Sequence, residues 1–140
     1  MQPINRMKTE FLSKSSNEAF ARVVAASFAA QADPSIDVLA DIRTAVSEAV
    51  TNAIIHGYGD DEGIITMECI LYPGTIEVTI QDFGKGIENL EQARTPLYTT
   101  RPDLERSGMG FTVMETFMDS LEVESEPGKG TKVRMTKQLE

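Results

Sequence analysis

The chain has 140 residues, 41% of them hydrophobic and 25% charged, which is ordinary for one globular domain with its own core. Its 13 basic and 22 acidic residues give a formal charge of -9, which disfavours nucleic acid and anionic membranes as direct partners. A single cysteine excludes an internal disulfide, and neither a run of about 18 apolar residues nor an N-terminal signal pattern is present. Cys69 alternates with Met67 and Leu71, so we interpret it as a buried hydrophobic residue. We expect one cytoplasmic domain spanning residues 1–140.

Hydrophobic periodicity divides the chain into helix and strand candidates. Residues 17–31 place Phe20, Val24 and Phe28 at four-residue spacing, which predicts an amphipathic helix that ends before Asp33-Pro34. A second helix is predicted from residue 36 to residue 56, with Gly57 as its C-terminal cap. The other predicted elements are a strand at 7–13, a hairpin of strands 63–72 and 75–82, a helix at 109–118, and a hairpin of strands 120–126 and 131–136.

The order of these elements predicts the fold class. Helices grouped early and strands grouped mostly late, with hairpin connections, favour an α+β fold. We expect a two-layer sandwich of a mixed, largely antiparallel sheet with helices on one face. Residues 87–107 show no sustained periodicity and contain two prolines, so we expect a mobile lid there.

Three short segments rich in glycine, carboxylate and amide groups carry the chemistry of the chain. Glu48, Asn52 and His56 recur every four residues, so on a helix they form one polar stripe that can face a ligand. The second segment, 82–86, begins where a predicted strand ends, and the third, 107–111, opens a predicted helix. Glycines let a backbone approach a ligand closely, and a helix N-terminus favours phosphate. Together the segments predict a nucleotide site.

These segments resemble the N, G1 and G2 boxes of the GHKL superfamily of ATPases and kinases, and Gly130-Thr131 matches the family's last box. The resemblance covers most of the chain and implies the Bergerat ATP-binding fold. More narrowly, residues 47–57 and 97–111 resemble the anti-sigma-F factors of endospore-forming bacteria. That family implies a homodimer that binds and inhibits the sporulation sigma factor F. It also implies a serine kinase that uses ATP and Mg²⁺, yields ADP, and inactivates an anti-anti-sigma protein by phosphorylation.

Phosphoryl transfer requires positioning, charge neutralisation and an oriented nucleophile. Asn52 offers an amide oxygen to Mg²⁺, and the resemblance assigns it that role. Glu48 would be the general base for the seryl hydroxyl, although a glutamate beside an apolar helix face is commonly just a solvated flank. Arg106 would neutralise charge on the γ-phosphate, whereas Arg101 reads as a surface charge of the lid. His56 stays open between orienting Glu48 and ending the helix with a favourable charge.

The adenine base is assigned to the second segment. Asp82 would accept a hydrogen bond from the exocyclic amine and thereby select ATP over GTP, as the resemblance also implies. Gly84 and Gly86 would allow positive φ angles and close approach of the backbone to the nucleotide. By resemblance, Thr131 would support Asp82 or a bridging water beneath the base.

The phosphates are assigned to the start of the third predicted helix, where backbone amides and the helix dipole can hold phosphate oxygens without any side chain. The lid threonines would contact the nucleotide or a partner, which would couple the nucleotide state to the choice of partner. The residues expected at this end of the nucleotide are Ser107, Gly108, Met109 and Gly110 of the cradle and Thr99 and Thr100 of the lid.

Binding of a protein partner leaves no chemical motif in the sequence. Arg22, among small residues of the first predicted helix, is a candidate anchor for an acidic spot on a partner. A solvated helix charge explains the same residue equally well.

Two other functions share parts of this pattern. A nucleotide-gated protein-binding module with vestigial phosphoryl transfer would keep the boxes, but the presence of Glu48 favours an enzyme. The catalytic domain of a two-component histidine kinase would need a phosphoacceptor histidine outside the site, and His56 is the only histidine of the chain.

Overall fold

The computed structural model describes residues 2–95 and 110–140 of the chain. A short 3₁₀ turn, Ala30–Ala32, follows the first helix, and a π-helical turn, Ala53–Tyr58, follows the second. The elements in chain order are β1 (Asn5–Leu12), α1 (Ser16–Ala29), α2 (Ile36–Asn52), β2 (Ile64–Tyr72), β3 (Thr75–Asp82), α3 (Leu90–Ala93), α4 (Gly110–Phe117), β4 (Ser120–Glu126) and β5 (Gly130–Gln138).

The five strands form one sheet in the order β1-β2-β3-β5-β4. Every pairing in this sheet is antiparallel, so the predicted α+β sandwich is confirmed and its sheet contains no parallel pair among the described strands. Strand β3 lies at the centre, with β2 and β5 on either side, so its C-terminal residue Asp82 lies between Ile65 of β2 and Thr131 of β5. The central strand therefore ends in a carboxylate that lies between its two neighbouring strands.

Alternation along the strands places one sheet face against the helices. In β3, Ile76, Val78 and Ile80 are buried, whereas Glu77 and Thr79 between them are only half-buried on the opposite face. Helix α2 starts at its N-cap, where Ser35 Oγ accepts from Val38 N at 3.2 Å, and it buries a continuous stripe against the sheet. The fully buried members of that stripe are Ile42, Ala45, Val46 and Val50. Cys69 is also fully buried, as predicted.

Periodicity wrongly included Phe20 in the buried stripe of α1, and it did not reveal the short helix α3. Phe20 does not continue the buried stripe of α1 but is 53% exposed, because Ala21 and Ala25 face the core and let α1 approach its neighbours closely. The start of the expected lid contains α3, where Asn89 Oδ1 accepts from Gln92 N at 3.0 Å. An Asn-x-x-Gln pattern is a recognisable capping signal, but a helix of one turn gives no sustained periodicity. Within residues 2–95 and 110–140, no helix is long and apolar enough to cross a bilayer.

Lys137 of β5 connects the sheet to α2 and α4. Its replacement by methionine is expected to destabilise the protein by about 1–3 kcal/mol. Its Nζ lies 3.1 Å from Asp41 Oδ2 of α2 and donates to Phe117 O of α4 at 2.6 Å. Lys137→Met would leave the carboxylate and the carbonyl without this donor. Urea unfolding measures the loss, and Lys132→Met on the open face of β5 is the matched control; equal effects would contradict this role.

Candidate nucleotide site

One cavity of about 360 Å³ lies between the C-terminal end of α2, the exits of β3 and β5, and the start of α4. Its volume falls in the usual range for small-molecule sites. The cavity brings together residues that are far apart in the sequence. The lining residues for which the sequence suggested a role in the site are Asn52, His56, Asp82, Gly86, Gly110 and Thr131.

At one end of the cavity, Asn52 faces the first residue of α4. A Cβ atom at Gly110 would lie only 3.0 Å from Asn52 Oδ1, so the amide packs directly against this helix start. The backbone N–H groups of a helix start favour an anion, and an amide oxygen is a ligand that Mg²⁺ accepts. Asn52 and Gly110, predicted separately for metal and phosphate, thus share one corner.

At the other end, Asp82 is buried, with only 4% of its surface exposed. Burial raises the pKa of its carboxyl from 3.8 to about 6, against the opposing effect of hydrogen bonds from the backbone N–H groups of Gly84 and Thr131. Gly84 N donates to Asp82 Oδ1 at 3.0 Å. The site therefore keeps a desolvated acceptor at its base, which is suited to an N–H donor on a ligand.

Glycines allow the backbone to close around this carboxylate. A Cβ atom at Gly57 would lie 2.7 Å from Asp82 Cγ, and one at Gly84 would lie 2.0 Å from Gly57 O. The same carbonyl accepts from Lys85 N at 2.9 Å. Gly86 has φ +75° and approaches Glu126 O, so the loop after β3 is held against the β4–β5 turn.

Thr131 lies opposite Asp82 in the β3–β5 pairing and lines the cavity beside it. Its hydroxyl is 2.8 Å from Ser125 Oγ, and Ser125 Oγ accepts from Ile87 N at 2.7 Å. The threonine therefore links the base of the cavity to the segment that leads into α3.

Glu48 is half-buried on α2, one helical turn before Asn52. It is not among the described residues that line the cavity. Arg22 lies on α1, away from the cavity, with its Nε 3.4 Å from Glu18 Oε2. The predictions for Thr99, Thr100, Arg101, Arg106, Ser107, Gly108 and Met109 fall outside the described residues.

Several lining residues were not predicted from the sequence. Ile80 and Val133 form an apolar floor beside Asp82, and their signal was the inward alternation of β3 and β5. Asn89 and Gln92 reach the cavity from α3, and Lys85 from the loop after β3. Their positions depend on how the segment after β3 folds back, which no local pattern specifies.

The described residues contain no group of three or more histidine, cysteine or acidic side chains that could hold a metal ion. A single amide at the start of a helix fits an ion that takes most of its ligands from phosphate oxygens and water. This donor set is compatible with Mg²⁺ that arrives with a nucleotide.

Comparison with known proteins assigns the class of this fold and site. Residues 12–137 match the model of the histidine kinase-like ATPase domain. The chain is 60% identical over 136 residues to the anti-sigma F factor of Clostridium novyi, a match that covers 96% of this chain and 95% of that protein. It is 61% identical over 139 residues to the anti-sigma F factor of Thermoanaerobacter pseudethanolicus, a match that covers 99% of this chain and 97% of that protein. The chain belongs to the histidine kinase-like ATPase family and, within it, to the anti-sigma F factors.

A solved structure supports the fold independently. The RsbU and RsbW domains of a Mycobacterium tuberculosis protein superpose with a TM-score of 0.67 at 18% identity, covering 98% of this chain and 32% of that one. The resemblance to the GHKL superfamily and the fold class are thereby confirmed. The family also confirms the predicted anti-sigma and kinase-type role and a nucleotide-binding site.

Proposed function

We propose that the protein binds and inhibits the sporulation sigma factor F and, as an ATP-dependent serine kinase, phosphorylates an anti-anti-sigma protein. The observation that carries the kinase part is the cavity with Asp82 at one end and Asn52 against Gly110 at the other. A carboxylate that accepts from adenine and a helix start that accepts phosphate, at two ends of one cavity, fit ATP. We further propose that residues 1–140 act as one domain with a lid at about 87–107.

Different residues would bind the base, the metal ion and the phosphates of ATP. Asp82 would bind the exocyclic amine, with Thr131, Gly84 and Gly86 shaping its surroundings. Asn52 would hold Mg²⁺, which neutralises phosphate charge when bound. The backbone amides of Ser107, Gly108, Met109 and Gly110 would bind the phosphates.

Glu48 would complete the reaction as general base. Its place on α2 one turn before Asn52, and not among the described lining residues, would suit a base that meets the incoming seryl hydroxyl beside the γ-phosphate. Its carboxylate would take the hydroxyl proton as the seryl oxygen bonds to phosphorus and the bond to the β-phosphate oxygen breaks, which leaves ADP. Arg106, Thr99 and Thr100 would contact the γ-phosphate end from the lid.

The partner-binding surface that we propose is the outer face of α1. Phe20 and Val23 there are 53% and 56% exposed, and Arg22 lies at the border of this face. Exposed apolar side chains beside an arginine are typical of protein-binding surfaces. The relatives' name, anti-sigma F factor, supports sigma factor F as the partner, and we infer a homodimer as the binding form.

Arg22→Ala is expected to weaken binding of sigma factor F by about 10-fold or more, since an arginine that anchors an interface contributes about 1.4 kcal/mol or more. Calorimetry with the ATP- and ADP-loaded protein measures it, and Arg43→Ala, an exposed arginine of α2, is the matched control. Unchanged binding in Arg22→Ala would remove α1 as the surface. Equal sigma affinity of the ATP and ADP forms would remove the coupling of nucleotide state to partner choice.

The alternative, a nucleotide-gated binding module without transfer, makes the same use of Asp82, Asn52 and α1. This alternative differs from the kinase proposal only in the role of Glu48, which would then accept no proton from a substrate. A protein that binds ATP and sigma factor F but transfers no phosphate would support it.

A further inference from the structure

Tyr58 ends the π-helical turn that follows α2, and its hydroxyl joins two strands. Tyr58 Oη donates to Ile64 O at the start of β2 at 2.5 Å. It also accepts from Phe83 N, directly after β3, at 2.8 Å. Both hydrogen-bonding functions of the phenol are therefore used by main-chain groups.

The position of this hydroxyl in the sheet is specific. The β2–β3 pairing ends at Ile65 and Asp82, so Ile64 and Phe83 would form the next pair of the ladder. Tyr58 Oη lies between the Ile64 carbonyl and the Phe83 amide, and it bridges these two groups where a ladder would have a direct hydrogen bond. The tyrosine thus fixes the main chain one residue beyond Asp82.

The surroundings leave the ring little freedom. A Cβ atom at Gly63 would lie 2.2 Å from Tyr58 Cε1, so the ring lies directly on the backbone of Gly63. Burial, with the charge of Asp82 as a further contribution, raises the pKa of Tyr58, which keeps the hydroxyl protonated and able to donate.

The neighbouring residue of the same turn holds the side chain of Asp82. The carboxylate packs on Gly57, where a Cβ atom would lie 2.7 Å from Asp82 Oδ1. Gly57 therefore limits the side chain of Asp82 while Tyr58 fixes the main chain after it. Tyr58 itself is not among the described residues that line the cavity.

We propose that Tyr58 is a positioning residue that aims the Asp82 carboxylate at the exocyclic amine of adenine and thereby sets base selectivity. The inference rests on the proposed function, in which Asp82 binds adenine. A tyrosine that only filled space would affect all nucleotides alike, whereas a tyrosine that orients Asp82 affects only nucleotides carrying the 6-amino group.

The test compares Mg²⁺-ATP with Mg²⁺-purine riboside triphosphate, which lacks the amine, by calorimetry. Wild-type protein is expected to bind ATP about 10-fold or more tightly than the analogue, as for a hydrogen bond to a charged acceptor. Tyr58→Phe is expected to reduce this ratio about fivefold or more, with analogue affinity changed less than about twofold. Tyr72→Phe, at the opposite end of β2, is the control and should keep the wild-type ratio.

The possible outcomes separate the two hypotheses. A wild-type ratio near one would overturn the adenine role of Asp82 and with it this part of the proposed function. A high wild-type ratio that Tyr58→Phe leaves unchanged, or an equal loss of both ligands, would overturn the positioning role alone. If Tyr58→Phe does not fold, Gly63→Ala, which displaces the ring, is expected to lower the ratio in the same way, and an unchanged ratio there would overturn the proposal.

Discussion

Glu48→Gln is expected to lower phosphoryl transfer to serine by about 100- to 10,000-fold, the usual contribution of a general base. Glutamine keeps the size of the side chain but cannot accept the hydroxyl proton. ATP affinity should change little, because Glu48 lies outside the cavity lining formed by the described residues. Single-turnover transfer from labelled ATP measures the rate, and calorimetry measures the affinity.

Two further variants make this result specific. Asp37→Asn, on the exposed first turn of the same helix, should transfer at the wild-type rate. If Asn52 holds Mg²⁺ as proposed, Asn52→Ala should lose Mg²⁺-dependent ATP binding itself, because alanine removes the amide that packs beside Gly110. Transfer by Glu48→Gln within a few-fold of wild type would exclude Glu48 as the base.

Asp82→Asn is expected to stabilise the protein without nucleotide while it weakens ATP binding. The folded-state pKa of Asp82, about 6, lies above its ordinary value of 3.8, so the folded state binds this proton more tightly than the unfolded state. The carboxylate therefore costs stability progressively as pH rises from about 4 to about 6, up to about 3 kcal/mol above that window. An amide has one oxygen instead of two, so we expect a net gain of about 1–2 kcal/mol at pH 7.5.

The measurements are urea unfolding at pH 7.5 and pH 5, and ATP binding at pH 7.5. The stability gain should be smaller at pH 5, and ATP affinity should fall about 10- to 100-fold because a charged acceptor is lost. Glu10→Gln, at an exposed position of β1, is the control, with an expected change within about 0.5 kcal/mol. A variant that is less stable than wild type at pH 7.5 would contradict the cost assigned to burial.

The sequence pointed to residues that the structure places at the two ends of one cavity. Asn52 lies in a polar stripe of helical spacing, Asp82 at a strand exit and Gly110 at a helix start, and the family resemblance supplied their proposed roles. Periodicity and short glycine-rich segments are local properties, so a single sequence is enough to detect them. The structure adds that these residues share one cavity.

The rest depends on contacts between distant segments. The bridge from Tyr58 to Phe83 spans 25 residues and arises from a π-helical turn where periodicity had predicted a continuous helix. Gly57, interpreted from the sequence as a helix cap, is small because Asp82 packs on it. The exposure of Phe20 follows from the small inward residues of α1, whose importance appears only once the helices are packed.

Transfer of label from γ-³²P-ATP with Mg²⁺ to the anti-anti-sigma protein, followed by phosphoamino-acid analysis, tests the central claim most directly. The proposed kinase predicts label on serine, formed in proportion to ADP. ATP binding without any label on the substrate would contradict the kinase and leave a nucleotide-gated anti-sigma module.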